Sequence, residues 1–211
     1  MLVALIAAAA LHGSGGLPAP DFCVHPTNKI DHMICDDPEL LARAKVSIRL
    51  YADLRAVDPV DADQAQEGQG WPAILDKCTD RACLPREYDS RIDWIATPFS
   101  TDDYRVRGAR RFALRDPPSH KDFWGQLDLL PVGDGLVFFR LSREWVKDSE
   151  RGIVFSGGSI GFVRLDAGRG SYRDTDKSGF DFERDAKGGW RVIQIGDCPC
   201  GAHISLDGLY R

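Results

Sequence analysis

No stretch of this chain holds the roughly twenty consecutive apolar residues that a membrane-spanning helix requires; the longest runs only from Leu2 to Leu11. Positive charge is scarce as well. Against 32 Asp and Glu stand 27 Lys and Arg, a net charge of −5, which excludes nucleic acid as a general partner because phosphate binding needs a basic stripe. Internal repeats and low-complexity tracts are missing. His12, His25, His32 and His120 have no partners at catalytic spacing, and the serines are read as lacking a nucleophile-elbow context such as G-x-S-x-G. Glu144 and Glu150 could act as an acid/base pair, yet nothing around them marks such a pair. These absences lead to the expectation of a protein that is not an enzyme and carries no cofactor and no metal.

Six cysteines are present, an even number, with Cys23, Cys35, Cys78 and Cys83 confined to Asp21–Ile95. Such a set in a short helical region reads as a disulfide framework made in an oxidising compartment. The run Leu2–Leu11, followed by Gly13, Ser14, Gly15 and Gly16, has the length and small-residue ending of a secretory signal, although the usual basic start is missing. Residues 1–20 are therefore expected to be a signal peptide, and the mature protein to be periplasmic or secreted with no transmembrane anchor. Charge is divided unevenly. Residues 21–97 hold 15 acids and 9 bases, a net of −6, and the remainder nets +1. A cationic protein partner would be steered towards the first part.

Helical signals fill 21–97. Thr27 or Asn28 can cap a short helix ending near Cys35, with Ile30, Met33 and Ile34 on its apolar side. Asp36 or Asp37, then Pro38 and Glu39, restarts the chain as a helix. That helix should run to about Val57, burying Leu40, Leu41, Ala44, Ile48, Tyr51 and Leu54. Trp71–Cys78 and Leu84–Ile95 read as two more. If the helices at 39–57 and 71–78 lie antiparallel, Cys35 meets Cys78 and Cys23 reaches Cys83; two other pairings remain possible. From about Tyr104 the period shortens to two, with Gly133-Asp134-Gly135, Gly157-Gly158 and Gly188-Gly189 marking turns. Seven or eight short strands predict an antiparallel β barrel or sandwich. The fold class expected is thus α+β: a small disulfide-stapled helical domain at 21–97, then an antiparallel β domain at 98–211.

The first of these parts resembles the N-terminal domain of the LprI-like lysozyme inhibitor family. The residues carrying the resemblance are Phe22 beside Cys23, Ile30 to Cys35, Asp37 to Leu40, Tyr51, Trp71 to Cys78, and Cys83-Leu84 through Tyr88, Arg91 and Ile92. Arg43-Ala44, Leu75 and Asp31 depart from the family's usual residues at those places. Cys200 to Arg211 is similar to the C-G-A-x-x-S-x-x-G-x-Y-R ending of a β domain that accompanies the helical unit in some members. The resemblance implies an exported bacterial envelope protein that binds, and inhibits without catalysis, lysozyme or another peptidoglycan hydrolase.

Three further constellations stand in the second part. Ser178-Gly179-Phe180-Asp181-Phe182 is similar to the S-G-x-x-Y loop of periplasmic c-type lysozyme inhibitors. This makes Ser178, Gly179 and Phe182 candidate partner-binding residues, against the reading of Phe182 as an inward strand residue. Asp174, Asp176, Ser178 and Gly179 resemble the opening of a calcium loop, but Asp185 stands where the closing Glu belongs, so an acidic β turn is expected. Cys198 and Cys200 straddle one proline near His203. They are read as a disulfide, with a thiol-redox or ligand-binding role as the alternative function of that region.

Overall fold

The computed structural model describes residues 16–60, 62, 71–96, 106–115, 123–148, 150–175, 177–197 and 204–211. A 3-10 turn at Asp21–Cys23 leads into α1 (Lys29–Cys35), α2 (Pro38–Val57), α3 (Trp71–Leu75) and α4 (Cys83–Ala96). Helix starts follow from their caps. Asn28 Oδ1 accepts from Asp31 N at 2.9 Å, while Asp31 Oδ2 accepts from Thr27 N at 2.9 Å, so two orphan donors are satisfied locally. Asp37 Oδ1 accepts from Glu39 N at 2.8 Å and from Leu40 N at 3.3 Å, with Pro38 in the first turn of α2.

Helices α2 and α4 run in the same direction. Arg81 Nε donates to Asp37 at 2.6 Å, Arg43 Nε to Asp89 at 2.9 Å and Arg91 Nε to Ser47 at 3.1 Å, so position numbers rise together along the pair. This corrects the expected cysteine pairing. The disulfides are Cys23–Cys35 and Cys78–Cys83, each with its Cα atoms 5.5 Å apart. Helix α3 ends at Leu75 and is too short to serve as the antiparallel partner that would carry Cys78 to Cys35. The partner of α2 is α4, and each disulfide staples the turn that enters one of these two parallel helices.

Among the described residues, eight strands are formed and all lie after residue 109. They are β1 (Arg110–Ala113), β2 (Phe123–Gly133), β3 (Leu136–Asp148), β4 (Ile153–Arg164), β5 (Arg169–Thr175), β6 (Ser178–Arg184), β7 (Trp190–Ile195) and β8 (Gly208–Tyr210). They form two four-stranded antiparallel sheets in sequence order, β1-β2-β3-β4 and β5-β6-β7-β8. Neither sheet closes on itself. Main-chain bonds stitch one edge of the first to the last strand of the second: Ala113 N to Arg211 O at 3.0 Å, Arg211 N to Ala113 O at 2.8 Å and Arg115 N to Leu209 O at 2.7 Å.

Alternation along the strands sorts the side chains into two cores. Leu127 and Leu129 of β2, Val137, Phe139 and Leu141 of β3 and Val163 of β4 meet Phe180, Phe182, Trp190, Val192 and Tyr210 of the second sheet. The opposite face of the first sheet carries Leu130, Val132 and Phe138, which pack with Ala42, Val46, Leu50 and Leu54 of α2 and Ile92 and Ile95 of α4. The result is three layers: helices, first sheet, second sheet. Leu17 joins the helix–sheet core, its N–H donating to Val132 O at 3.1 Å. A cut after Pro20 would remove that side chain from the core.

Polar side chains also bind the helical layer to the β layers. Asp53, buried on α2, accepts from Arg107 N at 2.8 Å and Arg107 Nε at 2.6 Å. Arg43 lies over the Phe162 ring at 5.2 Å from its centre.

Candidate binding surface

The motif residues of the helical layer converge. Trp71 meets Tyr88 edge-on with centroids 5.2 Å apart, and the Arg91 guanidinium lies 4.4 Å above the Trp71 ring. Burial pushes the Tyr88 hydroxyl well above its usual range and pulls the Arg91 guanidinium down. Around them is a cleft of about 350 Å³, walled by Phe22, Ile30, Ile34, Tyr51 and Leu75, with Asp31 and Asp76 among its polar lining. A second hollow, of about 600 Å³, opens where α4 faces β4 and β5; Asp89, Asp93, Tyr172 and Asp174 line it. Tyr172 reaches across because position 161 is glycine: a side chain there would collide with its ring. Burial, then the Asp174 and Asp89 carboxylates, push the Tyr172 hydroxyl up to about 12.

The loop singled out in β6 does not face outwards. Phe182 is 0% exposed and sits 5.0 Å from Phe139, centre to centre, between the sheets. This corrects its candidacy as a contact residue: with Phe180 and Phe182 both turned inward, a partner would have to part the sheets to reach it. Ser178 is buried too and shares a 2.8 Å hydrogen bond with Thr175 Oγ1. Gly179 is packed against β5, where a side chain would run into the Tyr172 carbonyl. The Asp174–Gly179 stretch is a strand–turn–strand join, with Lys177 N and Ser178 N bonded to Thr175 Oγ1; Asp176 lies outside the described residues.

Cys198, Cys200 and His203 also lie outside the described residues, as do His12 and His120. His25 and His32 are exposed on the helical layer. Glu144 lies on β3, whereas Glu150 sits in the exposed turn after it. The expectation that no serine has a G-x-S-x-G context is corrected by Gly157-Gly158-Ser159-Ile160-Gly161, which spells that pattern but falls inside β4, where Ser159 pairs with Leu141. An elbow needs a strand-to-helix turn. Among the described residues there is no group of three His, Cys, Asp or Glu placed to hold a metal ion, and no helix long and apolar enough to cross a membrane.

The ending Ser205 to Arg211 closes the β layers. Arg143 Nη1 donates to Ser205 O at 2.6 Å and Asp207 O at 3.1 Å, and the buried Tyr210 hydroxyl donates to Leu206 O at 2.9 Å. Known proteins add nothing here. No family model, curated protein or solved structure matches the chain.

What the structure does expose is one end of the first sheet. Trp124, Ile153 and Val154 are 48%, 38% and 49% accessible. Register places Trp124 opposite Glu144 and Val146 opposite Val154. Trp124, Val146 and Val154 therefore share the face that, further along the strands, is covered by helices. Trp145 and Phe155 stack 5.3 Å apart on the opposite face and stiffen this end of the β3–β4 hairpin. Asp148 folds the tip, its Oδ1 accepting from Glu150 N at 3.1 Å and Arg151 N at 3.0 Å.

Proposed function

We propose that this protein is exported and works without catalysis, as a binder and inhibitor of a cationic hydrolase of the lysozyme type, through the tip of the β3–β4 hairpin. The partner's class rests on the sequence resemblance. The observation that supports a docking role is the strip formed by exposed Trp124 of β2 with half-buried Val146 and exposed Val154 of the stiff β3–β4 hairpin, which ends in an acid-held turn. Apolar side chains clustered on a soluble surface and rimmed by charge mark an interaction site. Glycan hydrolysis needs two carboxylates in an open cleft, and a rigid hairpin seated there stops the reaction sterically. Exposed Asp89 and Asp93 on α4, with the acidic balance of residues 21–97, supply attraction towards a basic enzyme. Two disulfides in the helical layer fit an oxidising compartment, and a leader cut ahead of Gly16 would keep Leu17 in the core it joins.

The test is a peptidoglycan-clearing assay using chain that starts at Gly16, at several salt concentrations. Inhibition should weaken as salt rises, because exposed charges are screened beyond about 8–10 Å at physiological ionic strength. Replacing Trp124 and Val154 together by serine should abolish inhibition without lowering the melting temperature, since both are exposed. No inhibition of c-type, g-type or bacterial hydrolases at large molar excess removes the lysozyme reading.

A further inference from the structure

The outer edges of the two sheets differ in how they are protected. That of β1 is joined to β8 by the main-chain bonds between Ala113 and Arg211. That of β5 is guarded by exposed charges at Arg169, Arg173 and Asp174. The outer edge of β4 has no such guard: from Ile153 to Val163 there is neither a charge nor a proline. Natural sheets blunt a free edge with one or the other, because unpaired N–H and C=O groups template the pairing of another strand.

The direction of those groups follows from the ladder. Leu165 N donates to Gly135 O at 2.8 Å, while Leu136 pairs with Arg164. Such a pair points its own N–H and C=O groups away from the neighbouring strand. The register continues without a shift from there to Val146–Val154, so Val154, Ser156, Gly158 and Ile160 also turn their main-chain groups outwards. Val154, Ser156 and Gly158 are exposed, and among the described residues no main-chain group meets them from outside. Beyond Ile160 the edge is closed, since the Tyr172 ring of β5 lies against Gly161.

We infer that this edge pairs with the same edge of a second copy of the chain, antiparallel about a two-fold axis at Gly157. The open run from Val154 to Ile160 is centred there. Each outward residue then finds an outward residue. Val154 faces Ile160 of the second copy and Ser156 faces Gly158, so their donors and acceptors are used reciprocally. On the other face Phe155 comes opposite Ser159, a large residue against a small one. No like charges are brought together, whereas a charged strand of another protein would find no counter-charge on this edge. The two first sheets become one continuous sheet, and Val154, 49% accessible in the single chain, is covered. The inference does not rest on the hydrolase reading; a hydrolase and a second copy would compete for Val154.

The experiment is sedimentation equilibrium of the chain from Gly16 at concentrations up to about 1 mM, with amide hydrogen exchange read by NMR at both ends of that range. A monomer–dimer equilibrium is expected. Exchange at Val154, Ser156, Gly158 and Ile160 should slow at least tenfold in the dimer, whereas Phe155, Gly157 and Ser159, bonded to β3, are already slow in the monomer. Ser156→Pro removes an outward donor without touching the β3 ladder and should weaken the dimer at least tenfold. If that variant unfolds, Val154→Lys, at an exposed position, should weaken it as much. A chain that stays monomeric, or a dimer whose protected amides lie elsewhere, overturns the inference. Edge amides of a monomeric chain that become protected only on adding a hydrolase would overturn it too, and give the edge to that enzyme.

Discussion

Asp37 shows how one side chain joins local and tertiary structure. Burial alone would raise its pKa, yet donors from Glu39, Arg81 and Leu40 outweigh burial and hold it below the usual carboxylate range. A depressed folded pKa adds stability that is complete above the unfolded value, about 3.9, and is lost as pH falls through the folded value. Arg81 is largely exposed, so its ion pair adds little through water, and the cap dominates. Asp37→Ala should cost about 1–2 kcal/mol at pH 7. Urea unfolding at pH 7 and pH 3 should show the variant and the parent converging in acid. Phe182→Ala, in contrast, should cost about 3–5 kcal/mol at any pH. At a concentration where the variant is still folded, its inhibition in the clearing assay should match that of the parent chain, because the removed ring faces Phe139 and not solvent.

Among the elements, the two parallel helices matter most. Residues 21–57 and 71–96 each enter their long helix through a stapled turn, with loops closed over 12 and 5 residues. On the chain-entropy account, loops of this length stabilise by about 2–3 kcal/mol each, less than the long Cys35–Cys78 loop would. Peptide mapping of Cys35→Ser should find Cys23 free and Cys78 still joined to Cys83. A free Cys78 would contradict the parallel arrangement. The β3–β4 hairpin is the other informative element. At thirteen and twelve residues its strands outrun the helices that cover them, and what they carry past that cover is exposed.

At the scale of the whole molecule, the helical layer is not self-contained. Val46, Leu50, Leu54, Ile92 and Ile95 are buried against Leu130, Val132 and Phe138 of the first sheet. Each buried aliphatic side chain contributes about 1.5–3 kcal/mol, so a fragment of residues 21–97 would lose most of the free energy that fixes it. Such a fragment should bind a hydrophobic dye and melt without a cooperative transition, even with both disulfides formed. A sharp transition with native-like near-ultraviolet dichroism would show that the staples and the smaller cluster around Leu40, Ala44, Leu84 and Tyr88 suffice.

Local rules made much of this legible. Caps such as Asn28 and Asp37, proline at 38, and the change of period after residue 97 act over a few residues, so the sequence alone placed the helices ahead of the strands and the α+β class. Tertiary structure decided the remainder. Which helix lies beside α2, and in which direction, depends on contacts 44 to 46 residues apart such as Arg43–Asp89, and these settled the cysteine pairing. Whether Phe182 points in or out turns on strand register, where one step exchanges the faces. Arg140, Asp128 and Arg111 are ordinary charges in the sequence. Only the meeting of three strands, with helices laid over them, buries these residues together as one cluster of ion pairs.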